Sequence, residues 1–110
     1  MRKKIIFGQP SIGNEEINYI TKVIKSKWIG SGKVTEKFEN NFKNYKKSKF
    51  AVSVNSCTAA LHLSLIYCGV KIGDEVITTP MTFASTINSI AMIGAKPILA
   101  DINPETFNID

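Results

Sequence analysis

The residues best suited to chemistry are the four small residues "NSCT" at 55–58, which follow an alternating apolar run and lead directly into a helical pattern. If a helix begins there, the amides of Cys57, Thr58 and Ala59 have no partners inside the helix and can hold an anion such as a phosphate. The hydroxyl of Thr58 adds one more donor. The alternative is structural, because Ser56 or Thr58 could simply cap the helix. The residues alone leave both interpretations open.

Other kinds of reactive site are disfavoured by the spacing of the residues. The sequence contains no G-x-x-x-x-G-K-[ST] or G-x-G-x-x-G motif, and "VNSCT" lacks the glycines of a hydrolase nucleophile elbow. Cys57 could be a nucleophile, but His62 lies about 140° further around the helix and is poorly placed as its base. With one histidine and no C-x-x-C spacing, we expect no metal site.

Phe83 is the second candidate for ligand binding in this half of the chain. It follows the second predicted strand, at the same edge of the sheet as the proposed anion site. An aromatic ring in that position could stack on a flat cofactor. On spacing alone, packing in a core is the favoured interpretation.

Composition and charge limit the possible classes of protein. The 110 residues are 44% hydrophobic, which suits one globular domain or part of one. No apolar run is long enough to span a bilayer, and the basic start lacks the apolar segment of a signal peptide, so we expect no membrane partner and a cytoplasmic location. The net charge of +5 is concentrated before residue 50. The run "KNYKKSK" fits the outer face of a helix and accompanies no nucleic-acid-binding motif, so we expect no nucleic-acid partner.

The pattern of elements predicts how these residues are positioned. An amphipathic helix is expected from Asn14, which could cap it, and its side chains at helical spacing should face a core: Ile17, Ile20, Ile24 and Trp28. A second helix is expected over about 34–46. A strand over 50–54, a helix closed by Gly69, a strand stopped by Pro80, a helix closed by Gly94 and a strand over 96–102 then follow.

This alternation predicts an α/β fold with a mostly parallel sheet and right-handed βαβ crossovers, preceded by two helices. Residues 1–49 form the helical segment and residues 50–110 the first βαβαβ part. Because three parallel strands would leave their sheet edges exposed, we expect the chain to be the beginning of a longer protein.

Three blocks of the sequence resemble one known family. "PSIGNEEINYITKVIKSKWIGSGKVTEKFENNF", "VSVNSCTAALHLSL" and "GDEVITTPMTFASTINSIAMIGAKPILADINPETFNID" are similar to the opening of the DegT/DnrJ/EryC1/StrS sugar aminotransferases. These are enzymes of fold type I that depend on pyridoxal 5'-phosphate. The resemblance implies that the chain is the N-terminal part of the large domain of such an enzyme.

The resemblance also implies roles for individual residues. Thr58 and Ala59 match the positions that hold the cofactor phosphate, with the amide of Cys57 alongside, and Phe83 matches the aromatic residue that stacks on the pyridine ring. Many members have glycine or another small residue where this chain has Cys57. A loop near the sugar-nucleotide side of the pocket is matched by Trp28, Ile29, Gly30 and Ser31.

The resemblance implies an activity for the complete enzyme, and it implies that this chain lacks the catalytic lysine. The complete enzyme would transfer an amino group, typically from glutamate, to a nucleotide-linked keto sugar for amino-sugar and polysaccharide biosynthesis, and would be a homodimer. The family's Schiff-base lysine lies beyond residue 110, and neither Lys71 nor Lys96 matches it. We therefore expect no catalytic residue in this chain and no activity from it alone.

Two other functions stay open at this point. One is a small non-catalytic α/β module that binds a phosphorylated ligand or a protein. The other is a dehydratase-like relative that keeps the cofactor but has histidine in place of the lysine.

Overall fold

The computed structural model describes residues 6–110, which form two compact units, one ending at Val52 and the other spanning Ser53–Asp110. Much of the basic start, on which the expectation of no signal peptide depends, lies outside the described residues. Within residues 6–110, no helix combines the length and the apolar character needed to cross a bilayer.

The first unit contains two helices, α1 (Asn14–Lys25) and α2 (Lys33–Lys46). The prediction that Asn14 caps the first helix is wrong, because Gly13 occupies the cap position and Asn14 is the first helical residue. The carboxylate of Glu16 accepts a hydrogen bond from the amide of Gly13 over 2.7 Å. A side chain of the first turn therefore reaches back to close the start of α1.

The apolar faces of both helices remain exposed. Four side chains were predicted to face a core: Ile17, Ile20, Ile24 and Trp28, which are 56%, 59%, 62% and 67% exposed. On α2, the rings of Phe38 and Phe42 lie with their centroids 6.1 Å apart, but neither α1 nor α2 has a buried residue. The described part of the first unit therefore does not itself provide the predicted core contacts of these faces.

The second unit contains the sheet. Its elements are α3 (Cys57–Tyr67), β1 (Glu75–Thr78), α4 (Ala84–Met92) and β2 (Lys96–Leu99). The two strands are parallel neighbours, with Val76 opposite Pro97 and Ile77 opposite Ile98. Since parallel strands need a crossover, α4 connects them, and it contacts both strands as well as α3. This confirms the predicted α/β class and the parallel sheet.

The predicted strand over residues 50–54 is wrong. Its residues have no regular secondary structure, and Phe50 and Val52 are about four-fifths exposed. A strand is defined by hydrogen bonds to a neighbouring strand, and within residues 6–110 no strand pairs with this segment. An alternating apolar pattern is therefore not sufficient to form a strand when no partner strand is present.

Glycines end α3 and α4 as predicted. Gly69 and Gly94 have φ angles of +80° and +81°, a conformation that favours glycine because it lacks a Cβ. The amide of Gly69 donates to Ile66 at 2.9 Å, and the amide of Val70 donates to Leu65 at 3.1 Å. Gly94 and the residue after it make the equivalent bonds, so both helices end in the same hydrogen-bonded motif.

The buried centre of the second unit is small. Its buried residues are Thr78, Ser89, Ile90 and Ala95. After β2, an isolated antiparallel bridge joins Ile102 to Ile109, and the side chain of Asn103 accepts two amide hydrogen bonds in the turn between them. This turn was not predicted, although an Asn-Pro pair is a typical signal for one.

Candidate functional site

The first turn of α3 begins with a capping serine. Ser56 has an extended backbone (φ −158°, ψ 155°), and its Oγ accepts a hydrogen bond from the amide of Ala59 at 3.1 Å. Its carbonyl accepts the hydrogen bond from the amide of Ala60 at 3.1 Å. One of the two interpretations left open by the sequence is thus realised, because Ser56 caps the helix.

This cap leaves two donors of the first turn unused. Cys57 and Thr58 are the first and second helical residues, and their amides have no protein acceptor within residues 6–110. The first turn contains no acidic residue that would complement the positive end of the helix dipole. Capping by Ser56 and binding of an anion are therefore compatible, since they use different amides.

A cavity of about 420 Å³ lies beside this turn. Its lining residues are Ser56, Thr58, Ala59, His62, Leu63 and Met92. His62 lies four residues after Thr58, so both side chains lie on the same face of α3. The place of His62 beside this cavity was not predicted, because His62 was considered only as a base for Cys57, although its spacing to Thr58 could have indicated it.

Helix α4 packs against the first turn of α3. Ser89 is fully buried, and its Oγ donates to the carbonyl of Ser85 at 2.7 Å. The same Oγ lies 3.5 Å from the carbonyl of Thr58, which places the small side chain of Ser89 directly against the first turn of α3. A larger side chain at this position would push the two helices apart.

Phe83 precedes α4 as its N-cap residue, and its carbonyl accepts a hydrogen bond from the amide of Thr86 at 3.0 Å. Its side chain is 81% exposed, so the ring does not pack in a core within the described residues. Many other apolar side chains are exposed as well, so exposure by itself does not distinguish Phe83 as a binding residue.

The loop between α1 and α2 forms a separate candidate site in the first unit. The indole Nε1 of Trp28 donates to the carbonyl of Ser31 at 2.8 Å, a hydrogen bond that bridges the two intervening residues, Ile29 and Gly30. A cavity of about 630 Å³ lies at this loop. It is lined by Val23, Ser26, Trp28, Ile29, Gly30, Gly32, Lys33, Val34, Thr35 and Glu36.

The predicted site residues thus fall into two sets, one in each unit. Trp28, Ile29, Gly30 and Ser31 share the first unit, whereas Cys57, Thr58, Ala59 and Phe83 share the second. The roles of these residues stay predictions. Among residues 6–110, no cluster of three or more His, Cys, Asp or Glu side chains could hold a metal ion, and both cysteines are exposed thiols.

Comparison with known proteins gives consistent matches over nearly the whole chain. A family model described as the DegT/DnrJ/EryC1/StrS aminotransferase family matches residues 10–110. The uncharacterized protein MJ1066 of Methanocaldococcus jannaschii is 56% identical over 93% of this chain and 26% of its own length. The spore coat polysaccharide biosynthesis protein SpsC of Bacillus subtilis is 48% identical over 94% of this chain and 27% of its own.

Solved structures show the same relationship. Spr1654 of Streptococcus pneumoniae, assigned as a sugar aminotransferase and solved in PLP and PMP forms, matches 98% of this chain with a TM-score of 0.88 and 36% identity. The match covers 28% of the PLP-form chain. The aminotransferase TlmJ of Streptoalloteichus hindustanus matches 92% of this chain and 28% of its own, with a TM-score of 0.83 and 38% identity. The chain therefore spans about a quarter of the length of the curated relatives it matches.

Proposed function

Because this chain belongs to the DegT/DnrJ/EryC1/StrS aminotransferase family, we propose that it supplies the phosphate-binding turn of an enzyme that aminates a nucleotide-linked keto sugar. The aminotransferases of this family use pyridoxal phosphate, and a solved relative is known in its PLP and PMP forms. The observation that carries the proposal is the first turn of α3. There, the amides of Cys57 and Thr58 have no acceptor among the described residues, and the turn itself contains no acidic residue.

The residues of this turn fit a cofactor phosphate. A phosphate dianion requires several donors at close range, and the turn offers the amides of Cys57 and Thr58 and the Thr58 hydroxyl. The amide of Ala59 already donates to Ser56, so Ala59 would line the site and would donate only if Ser56 gave up that bond. The side chains of the turn are small, so a phosphate can approach the backbone.

Phe83 is the proposed contact for the cofactor ring. It follows the carboxyl end of β1, and its ring is exposed there and available for stacking. When bound, the cofactor supplies the electron sink that amino transfer needs. Cys57, Thr58 and Phe83 would hold and orient it.

The two lysines of the second unit are badly placed for covalent chemistry on the cofactor. Lys71 lies in the turn before β1, where its amide donates to Asp74, and Lys96 begins β2 opposite Glu75. Both therefore lie at the amino ends of the parallel strands, whereas Phe83 follows the carboxyl end. We propose that these 110 residues do not carry out transamination by themselves.

The remaining parts of the proposal concern the whole protein. An amino donor such as glutamate and a homodimer are proposed as partners, in the cytoplasm, with residues 1–49 as a helical segment before the cofactor-binding part at 50–110. A role in polysaccharide biosynthesis is supported by the name of the relative SpsC. The loop Trp28–Ser31 is the proposed contact for the sugar nucleotide.

The substitution Cys57→Pro tests the phosphate-binding turn. Proline is favoured at the first helical position, and the extended backbone of Ser56 suits a following proline, so the helix should be preserved while one amide is removed. A charge-assisted hydrogen bond contributes roughly 1.5–3 kcal/mol, so we expect pyridoxal phosphate to bind on the order of tenfold more weakly or worse. Binding can be followed by amide chemical shifts at Thr58 in NMR titrations.

Cys57→Ala is the matched control, because it also removes the thiol but keeps the amide. It should bind the cofactor as the native chain does. Equal affinity of the proline and alanine variants would show that this amide does not hold the phosphate.

Covalent labelling tests the proposed lack of a catalytic lysine. After incubation with pyridoxal phosphate and reduction with borohydride, peptide mapping should find label spread over exposed lysines. Stoichiometric label on Lys71 or Lys96 alone would contradict the proposal.

A further inference from the structure

The loop between α1 and α2 depends on a close contact that no motif indicated. A Cβ atom added to Gly32 would lie 2.7 Å from Nε1 and 3.1 Å from Cδ1 of Trp28. The distance of 2.7 Å is well inside van der Waals contact and 3.1 Å is tight, so a side chain at residue 32 would force the indole out of its present position. The same test at Gly30 finds no atom within 4 Å.

The reason for glycine at residue 32 is steric. Its φ angle of 175° is extended backbone that any residue adopts, so the backbone itself does not require glycine. The indole, by contrast, occupies the space that a side chain would need, and its Nε1 donates to Ser31 at 2.8 Å. Because Gly32 has no side chain, the indole of Trp28 can occupy this space and donate its hydrogen bond to Ser31.

We infer that Gly32 is a positioning residue for ligand binding: it holds the Trp28 indole as a wall of the 630 Å³ cavity, where the ring stacks on the base of the substrate nucleotide. The identity of the ligand rests on the proposed function, whereas the action of Gly32 on Trp28 does not.

The cavity favours a base over a phosphate. Its volume is in the usual range for small-molecule sites, and Val23, Ile29 and Val34 line it together with the indole. Its charged lining residues, Lys33 and Glu36, have opposite signs, so the cavity offers no net attraction to an anion. Trp28 is 67% exposed, so its indole is accessible to a ligand that stacks on it.

The positioning step can be tested without ligand, because Trp28 is the only tryptophan of the chain. Its indole N–H gives one NMR signal, and its fluorescence reports on this loop alone. In Gly32→Ala we expect faster solvent exchange of the indole N–H and a red-shifted emission, since the bond to Ser31 is lost. Gly30→Ala is the control and should leave both unchanged. Helix content by circular dichroism checks that each variant folds.

The binding step is tested by titration with uridine diphosphate, with pyrophosphate as the probe that lacks a base. Isothermal calorimetry should show that the native chain and Gly13→Ala, a glycine of the same unit outside the cavity lining, bind uridine diphosphate. Gly32→Ala should bind it roughly tenfold more weakly, in line with the loss of one base–aromatic stack. Pyrophosphate should bind the three chains equally weakly. In a Trp28→Leu background, Gly32→Ala should have no further effect, because it acts through the indole.

The outcomes separate this inference from the proposed function. An unchanged indole signal in Gly32→Ala, or an unchanged affinity for uridine diphosphate, would overturn the inference. A displaced indole combined with no binding of uridine diphosphate by the native chain would uphold the action of Gly32 on Trp28. It would refute both the base-stacking role and the proposed nucleotide substrate.

Discussion

The helices of the two units begin in different ways. In the first unit, α1 has Glu15 and Glu16 in its first turn, and α2 has Glu36. In the second unit, neither α3 nor α4 has an acidic residue there. Since every helix carries a partial positive charge at its start, the first unit neutralises this charge with its own carboxylates and the second unit does not.

The contrast is clearest between α1 and α3. The third helical residue of α1 is Glu16, whose carboxylate closes on the amide of Gly13. The third helical residue of α3 is Ala59, which has no such group and whose amide is satisfied by Ser56. Two further amides of α3 remain without protein acceptors in the described residues, and no carboxylate of this turn competes with an external anion for them. To find a helix start that can bind an anion, the absence of a carboxylate from the first turn is therefore as informative as the presence of amide donors.

The largest effect is expected when α3 is made to resemble α1. Ala59→Glu places a carboxylate three residues after Ser56, which is the spacing of a capping box. The helix start should become slightly more stable. A negative charge within about 6 Å of a phosphate dianion repels it by a few kcal/mol at an intermediate dielectric, so cofactor affinity should fall roughly 100-fold.

Ala59→Gln is the control, because glutamine can make the capping bond without the charge. Fluorescence titration with pyridoxal phosphate should show much less loss for Gln than for Glu. If the two variants bind equally well, the anion does not sit at this turn and the contrast between α1 and α3 has no bearing on function.

The sequence predicts those features that depend on neighbours along the chain. Gly69 and Gly94 end their helices through bonds to residues three to five positions earlier, so the local pattern is sufficient. The segment at 50–54 is different, because a strand needs a partner distant in sequence and its alternating pattern does not provide one.

The two candidate sites differ in the same respect. The donors of Cys57 and Thr58 follow from the position where α3 begins, so they can be predicted from sequence. The contact between Gly32 and Trp28 depends on the rotamer of one side chain, and the sequence shows only two glycines in a loop. Only the three-dimensional fold distinguishes Gly32, where a side chain would meet the indole, from Gly30, where it would meet no atom within 4 Å.

The smallest effect concerns the closed start of α1 and its dependence on pH. The hydrogen bond from the amide of Gly13, followed by the one from its own amide, lowers the pKa of the Glu16 carboxyl below its usual value. A group with a lowered folded-state pKa stabilises the folded state above its ordinary pKa of about 4.3 and loses this contribution as the pH falls through the lower value. Between about pH 6 and pH 3, the helix content of α1 should therefore decrease.

Glu16→Gln should remove this part of the pH dependence, because the amide side chain has no charge to lose. Glu15→Gln is the matched control, since it removes a carboxylate from the same turn and leaves the bond between Glu16 and Gly13 in place. The chemical shift of the Gly13 amide, followed through the titration, reports the bond directly. If the Gly13 signal still titrates in the Glu16→Gln variant, another titratable group accepts the hydrogen bond from the Gly13 amide. The contrast between α1, whose start is neutralised by Glu16, and α3 would then fail.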